Sequence, residues 1–327
     1  MLNERTLRRL AWFGFVAIAA LYLGGIAITL QDRTGAAQTS SWGSSGSSPV
    51  GAILFALSTF SFPVVGILIL ARHSRNPIGW MCLVIGLVWG WDVLLSNYAG
   101  YAFATDHSKA ALAADLDSWL WVPAIGLMGT FLILLFPDGH LPSPRWRTLA
   151  WLSGTAMVFS SVGILIRPGS LADDGYPSLT NPLGIRSLEW LILPLQWVIA
   201  LIPLCIVASV VSLVLRFRRS RGKDRLQLKW LTGGAAGVAL IYLLAMIASL
   251  GFGRGTPPPT WVQLVEDAAL FSFALIPAAI GIAILKHRLF DIDVVINKTL
   301  VFGALAGFIT AVYVAIVVGI GSAIGQG

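Results

Sequence analysis

Lys286 to Gly303 reads KHRLFDIDVVINKTLVFG, a short polar hinge between two long apolar runs. Lys286, His287 and Arg288 close the first run, and Asn297, Lys298 and Thr299 open the second. Between them Asp291 and Asp293 alternate with Phe290, Ile292 and Val294. A bilayer core about 30 Å thick takes about 20 apolar helical residues to cross, and both flanking runs are that long. Cations after the first run meet the negative end of its helix dipole. Asn297 can cap the second helix, with Thr299 in its first turn. The hinge therefore joins two membrane helices, either as an extended interfacial segment or as a plain connector.

The same length test, carried outward from the hinge, finds nine runs: 10–30, 50–71, 78–103, 118–136, 149–166, 190–215, 230–251, 266–285 and 300–324. Barrel strands are about 10 residues long and alternate in polarity, so these runs predict helices. Of the 327 residues 57% are hydrophobic and 11% charged, against about 25% charged in a soluble protein. The expected fold class is an all-α polytopic transmembrane bundle of about nine spans over 10–325. A cytoplasmic segment 1–9 precedes it, and no large soluble domain is expected. The first run has about 20 apolar residues, longer than a signal-peptide core, and is read as a retained span.

Orientation follows from Lys and Arg. With the N-terminus inside, segments 1–9, 72–77, 137–148, 216–229 and 286–299 hold 17 of the 22 basic residues. Arg33, Lys109, Arg167, Arg186 and Arg254 are the other 5. That asymmetry fits the positive-inside rule and predicts a multi-pass cell-membrane protein with a cytoplasmic N-terminus. The net charge of +7 is thereby assigned to cytoplasmic loops, and no nucleic-acid partner is expected. Arg216–Lys229, with seven cations against Asp224, reads as a solvated loop near anionic headgroups. A docking surface for a cytoplasmic domain is the other reading.

The outer segments are 31–49, rich in Gly and Ser; 104–117, with Asp106, Asp115 and Asp117; 167–189, with Asp173, Asp174 and Tyr176; and 252–265, with a GTPPPT tract. They read either as connectors or as recognition loops. Trp80, Trp119, Trp121, Trp146, Trp190, Trp230 and Trp261 fall near predicted interfaces, where indole rings favour the headgroup level. Gly233/Gly237, Gly303/Gly307 and Gly321/Gly325 have the spacing that lets helices approach closely, which is read as packing inside the bundle.

Asp92 is the only acid well inside a predicted span, flanked by Trp89 and Trp91. A charge at that depth costs about 2.5–3.5 kcal/mol on insertion scales, so it should face the bundle interior. Ser96, four residues on, shares its helix face and can donate to it. Asp92 and Ser96 form the candidate intramembrane polar site: a proton- or ligand-sensing carboxylate, or a hydrogen-bonded interhelical contact. Cys82 and Cys205 lie in apolar runs and read as small hydrophobes. His73, His107, His140 and His287 are scattered, and no metal-ligand spacing appears. There is no phosphate loop, no GxSxG turn and no HExxH. The chain is expected not to be an enzyme by itself, with no catalytic residue, cofactor or metal.

The hinge motif resembles one that recurs in the membrane-embedded N-terminal halves of bacterial, especially actinobacterial, sensor histidine kinases. The likeness extends, in the same order, to RNPIGW at Arg75–Trp80, FPDGHLPSPRWR at Phe136–Arg147 and RLQLKWL at Arg225–Leu231. It implies a sensor or anchoring module of a two-component system. The family's phosphoacceptor and nucleotide boxes lie in later modules and match no position here. Arg288, Asp291, Asp293 and Asn297 become the candidate signal-relay hinge, suited to orienting an interface rather than to chemistry. Implied partners are the lipid bilayer, cytoplasmic kinase modules in cis or in trans, and a second copy of the chain as a homodimer. Nine spans would put the C-terminus outside, so the chain reads as a fragment, a truncated product or a stand-alone relative. Two other readings stand beside this one: a small transporter or channel using Asp92, and a membrane partner of a separately encoded kinase.

Overall fold

A computed structural model describes residues 3–31, 49–221, 228–238, 241, 244 and 260–286. Helices α1 (Glu4–Gln31), α2 (Pro49–Arg72) and α3 (Pro77–Phe103) pack on one another. Next come α4 (His107–Ser118) and the composite helix α5, built from Trp121–Gly126, a π-helical stretch Leu127–Leu132 and Ile133–Leu135. Then follow α6 (Trp146–Leu165), α7 (Glu189–Trp197), α8 (Leu201–Arg219), α9 over 228–238, α10 (Thr260–Ser272) and α11 (Leu275–Gly281), the last leading into a π-helical stretch Ile282–Lys286.

Six helical stretches among the described residues are long and apolar enough to cross a membrane: Glu4–Gln31, Ala52–Arg72, Pro77–Phe103, His107–Leu135, Trp146–Leu165 and Val198–Arg219. They overlap the first six predicted runs, although the fourth begins at His107 rather than at 118 and the sixth at Val198 rather than at 190, and are consistent with a membrane-embedded protein. The seventh run is described only in part, and the ninth lies outside the described residues. So do Arg288, Asp291, Asp293 and Asn297, and with them Gly303/Gly307 and Gly321/Gly325.

The eighth run is not one helix. α10 stops at Ser272, and α11 begins at Leu275, two residues intervening, with Pro277 in its first turn. Proline lacks an N–H, and its ring crowds the carbonyl four residues back, here Phe273. The same rule places two other breaks. Pro123 lies four residues after Trp119, where α4 gives way to α5. Pro203 lies four after Ile199, within the 3-10 turn Val198–Ala200 that joins α7 to α8. Pro63 leaves α2 unbroken. Gly86 of α3 lies against its ring, so close that a Cβ there would come within 2.5 Å of Pro63 Cδ.

Two predicted outer loops are structured. Residues 104–117 are a turn followed by α4. Asp106 caps α4, accepting from the backbone N–H groups of Ser108 and Lys109 at 3.1 and 3.2 Å and from Ser108 Oγ at 2.7 Å. The Ser108 hydroxyl, with Lys109 behind it, holds the Asp106 carboxyl well below the usual carboxylate range. Ala110, Ala111, Ala113 and Ala114 give α4 a thin face that packs with Ala99 and Ala102 of α3. Residues 167–189 carry an antiparallel hairpin, β1 (Ser170–Leu171) and β2 (Tyr176–Thr180), turned by Ala172–Asp174 and by Gly175 at φ +90°. The fold is therefore mostly helical with a two-stranded sheet, a correction to all-α.

One core runs through the bundle: Phe62, Ile85, Trp89, Leu132, Phe136, Leu213, Leu228, Leu231 and Ile280 share it. Exposed apolar side chains such as Phe13, Leu23, Trp151, Val158, Leu204 and Val207 cover the outside of α1, α6 and α8. Water would penalise so much exposed apolar surface, whereas lipid would not. The connections at 73–76 and 137–145 and the C-terminal turn of α8 define one end of the bundle, here the basic end. The hairpin marks the other.

Candidate functional site

The basic end brings two of the four resemblance motifs into contact, and described residues of a third share the core beneath them. Asn76 caps α3, its side chain accepting from the N–H groups of Ile78 and Gly79 at 2.8 and 3.3 Å, with Pro77 in the first turn. Trp80 Nε1 donates to the Ser74 carbonyl at 2.9 Å. The loop after α5 turns at Gly139, whose φ is +76° and whose N–H donates to the Leu135 carbonyl at 2.6 Å. Gly139 lies against Pro77 so tightly that a Cβ would sit 1.8 Å from Pro77 Cγ. His140 is exposed, as a solvated loop histidine should be, its Nδ1 3.0 Å from the Asp138 carbonyl oxygen.

Arg216 completes the junction. In an α-helix the Ile133 carbonyl would accept from the N–H of residue 137, which is proline and has none. Arg216 NH2 donates to that carbonyl at 2.6 Å, and NH1 donates to the Phe136 carbonyl. A guanidinium fork suits a helix C-terminus on grounds of geometry and dipole. Arg216 is thus half-buried and structural, where the sequence reading put it in a solvated loop. Leu228 and Leu231 of the RLQLKWL motif bury in the same core as Phe136, and so do Ala283 and Ile284, which lead toward the hinge.

The hairpin end gathers acids. Asp92 of α3 is 5% exposed, and Asp115 and Asp117 of α4 are 0% and 8% exposed. Asp117 faces Asp92 and Asp174, and Asp115 has Asp174, Asn181 and Arg167 as neighbours. Neither Asp115 oxygen, nor Asp117 Oδ1, makes a hydrogen bond. Arg167 reaches Asp174 at 3.6 Å across the hairpin turn. Asn181 ties the hairpin to α6 by donating from Nδ2 to the Leu165 carbonyl at 3.0 Å. Tyr22 of α1 is 3% exposed and places its hydroxyl near Thr59 and Asp92.

This arrangement corrects two expectations. Ser96 Oγ donates to the backbone carbonyl of Asp92 at 2.7 Å, not to its carboxylate, because a serine bonding its own helix finds the i−4 carbonyl first. Asp92 is also not alone: α4 brings Asp117 to it, and the hairpin's Asp174 faces Asp117 in turn. A further adjustment concerns Gly233/Gly237. Gly234 is the closely packed residue of α9, 2.9 Å in Cβ terms from Ala279, while Gly233 faces open space. Cys82 and Cys205 are free and buried.

No group of three or more His, Cys, Asp or Glu among the described residues could hold a metal ion. The carboxylates are neighbours in electrostatic terms and too dispersed to chelate. Buried unpaired carboxylates cost stability, so Asp115→Asn, which keeps the shape and removes the charge, is expected to raise the melting temperature at neutral pH by several degrees. Thermal unfolding in detergent checks this, and a fall would mean that the ionised carboxylate is held by a partner.

The signal for Asp115 and Asp117 was present in the sequence. Asp-His-Ser-Lys followed by an alanine-rich run is an N-cap and helix signature. Arg216 gave no comparable sign, since its partners are distant in the chain, and Pro137-Asp138-Gly139 announces the turn but not the contact of Gly139 with Pro77. No family model, curated protein or solved structure matches the chain.

Proposed function

We propose that the chain is a membrane-embedded sensor or anchoring module of a two-component signalling system, with nine spans and both the N-terminus and the basic end in the cytoplasm. It works with histidine-kinase modules in cis or in trans. The observation that carries this reading is the basic-end junction, where Pro77, Phe136, Gly139 and Arg216 interlock and Leu228 and Leu231 join the same core. Segments that resemble sensor-kinase motifs are thus one packed unit, and the helix leading to Lys286 is part of its core. A change at the hairpin end would reach that unit along α3 and α5, each of which has residues near both ends. Arg288, Asp291, Asp293 and Asn297 would then relay it toward a partner.

A second reading, transport through Asp92, draws on the burial of Asp92 beside Asp117 and Tyr22. One experiment separates the two. The tagged chain is purified from its native membranes, incubated with radiolabelled ATP, and in parallel reconstituted into liposomes. An acid-labile phosphohistidine label that travels with the chain is the expected result. No such label, together with an ion flux that Asp92→Asn abolishes, would replace the sensor reading with the transporter.

A further inference from the structure

Between α5 and α6 runs an apolar groove of about 490 Å³. Its walls are Phe131 of α5 and Trp151, Val158 and Phe159 of α6, and Ala150 and Gly154 keep its floor low. The added Cβ of Gly154 would have only the Phe131 ring tip near it, at 3.7 Å. Thr155 lines the groove, but its hydroxyl is spent inside the helix, donating to the Trp151 and Leu152 carbonyls at 2.9 and 3.1 Å. The groove therefore offers hydrocarbon and no hydrogen bonds along its length.

Its mouth is different. Leu141 and Arg147 close it at the basic end. Arg147 is exposed and, among the described residues, makes no ion pair. Arg145 is exposed two residues earlier. From Arg147 to Val158 the helix rises about 16 Å at about 1.5 Å per residue. One leaflet of a hydrocarbon core about 30 Å thick is about 15 Å deep. A cation at headgroup level above a dry channel one leaflet deep matches one class of ligand in charge and in length.

We propose that this groove binds an anionic phospholipid of the leaflet at the basic end, with an acyl chain along Ala150, Gly154 and Val158 and the headgroup phosphate at Arg147. Charge complementarity selects the headgroup, since the apolar walls do not distinguish one acyl chain from another. Juxtamembrane cations attract anionic lipid through the surface potential in general. Here the groove adds a fixed place for the chain beneath one particular arginine. Occupancy of the groove requires no kinase partner, so its test and that of the signalling reading fail separately.

The test is native mass spectrometry of the full chain released from bilayers of phosphatidylglycerol and phosphatidylcholine in equal amounts. The wild type should retain phosphatidylglycerol preferentially. Arg147→Gln, a surface change, should cut that preference by about fivefold, the effect of about one cation near an anionic surface, and Arg147→Lys should restore most of it. Gly154→Leu, which fills the floor, should reduce retention of both lipids. Arg8→Gln removes an exposed cation near the start of α1 and should change nothing. Equal retention of the two lipids by the wild type, or an equal loss in Arg8→Gln and Arg147→Gln, would overturn the site and leave only diffuse surface charge. The folded state of Arg147→Gln is checked by its melting curve, so that its lipid result stands even where Gly154→Leu does not fold.

Discussion

Gly139→Ala is expected to lower the melting temperature of the detergent-solubilised protein by roughly 6 °C, the shift that a loss of about 4 kcal/mol produces in a chain of 327 residues. Two costs add. The residue has φ +76°, where a side chain costs about 1–2 kcal/mol. The new Cβ would also fall 1.8 Å from Pro77 Cγ. That atom belongs to a ring in the first turn of α3 and cannot rotate away as the tip of a long side chain would. The two parts separate in a double-mutant cycle. Pro77→Ala removes Cγ and Cδ, so Gly139→Ala on that background should cost only the backbone part, and the coupling should come to roughly half of the single-variant loss or more. If Gly139→Ala melts with the wild type, the 137–139 turn does not seat on α3, and the convergence of the two motifs is wrong.

How much of this was legible beforehand depends on the range of the interaction. The first six spans follow from apolar runs whose length is set by the bilayer, and the helices observed there overlap them, closely for the second, third and fifth, while the fourth starts 11 residues earlier and the sixth 8 residues later than the apolar runs indicate. The breaks at Trp119, Ile199 and Phe273 were also within reach, since each lies four residues before a proline, but a hydropathy window averages over them. The helix at 107–118 was masked by its own composition. Lysine, two aspartates and several alanines score as a loop, although Asp106 supplies a cap and the alanines a packing face. The hairpin at 170–180 rests on Gly175 and on ties to Leu165 and Ile166 at the end of α6, which a single sequence does not display.

The acid cluster and the basic-end junction were illegible for a stricter reason. Asp92 reads as isolated because Asp117, the acid that faces it, is distant in sequence and arrives on another element. Arg216 reads as one of seven loop cations, and nothing local distinguishes it from Arg218 or Arg219. What distinguishes it is a carbonyl 83 residues away that lacks its helical donor. Local chemistry announces the deficit at Pro137. Only the tertiary structure says which residue answers it.

That deficit makes Arg216 the other position where a large effect is expected. Removing the guanidinium leaves the Ile133 and Phe136 carbonyls without their donor at a half-buried helix end. Each charge-assisted hydrogen bond contributes about 1.5–3 kcal/mol. Arg216 Nε is itself buried without a partner, a standing cost that truncation would relieve. Arg216→Met should therefore destabilise by about 2–4 kcal/mol rather than by the sum of the two bonds. Arg216→Lys keeps the charge but offers a point donor in place of a fork, so it should fall between methionine and the wild type, recovering one carbonyl and not both. The neighbouring Arg218 is exposed and makes no such bond among the described residues, so Arg218→Met should lie within about 0.5 kcal/mol of the wild type. Melting curves of the three variants in one detergent give the order. If lysine matches arginine, charge alone holds α8 at this end and the fork is incidental. If methionine matches arginine, the Ile133 carbonyl has found water, and Arg216 does not hold the end of α5 to α8. The order arginine, lysine, methionine would make the answer of Arg216 to the deficit at Pro137 the contact that holds the end of α5 to α8.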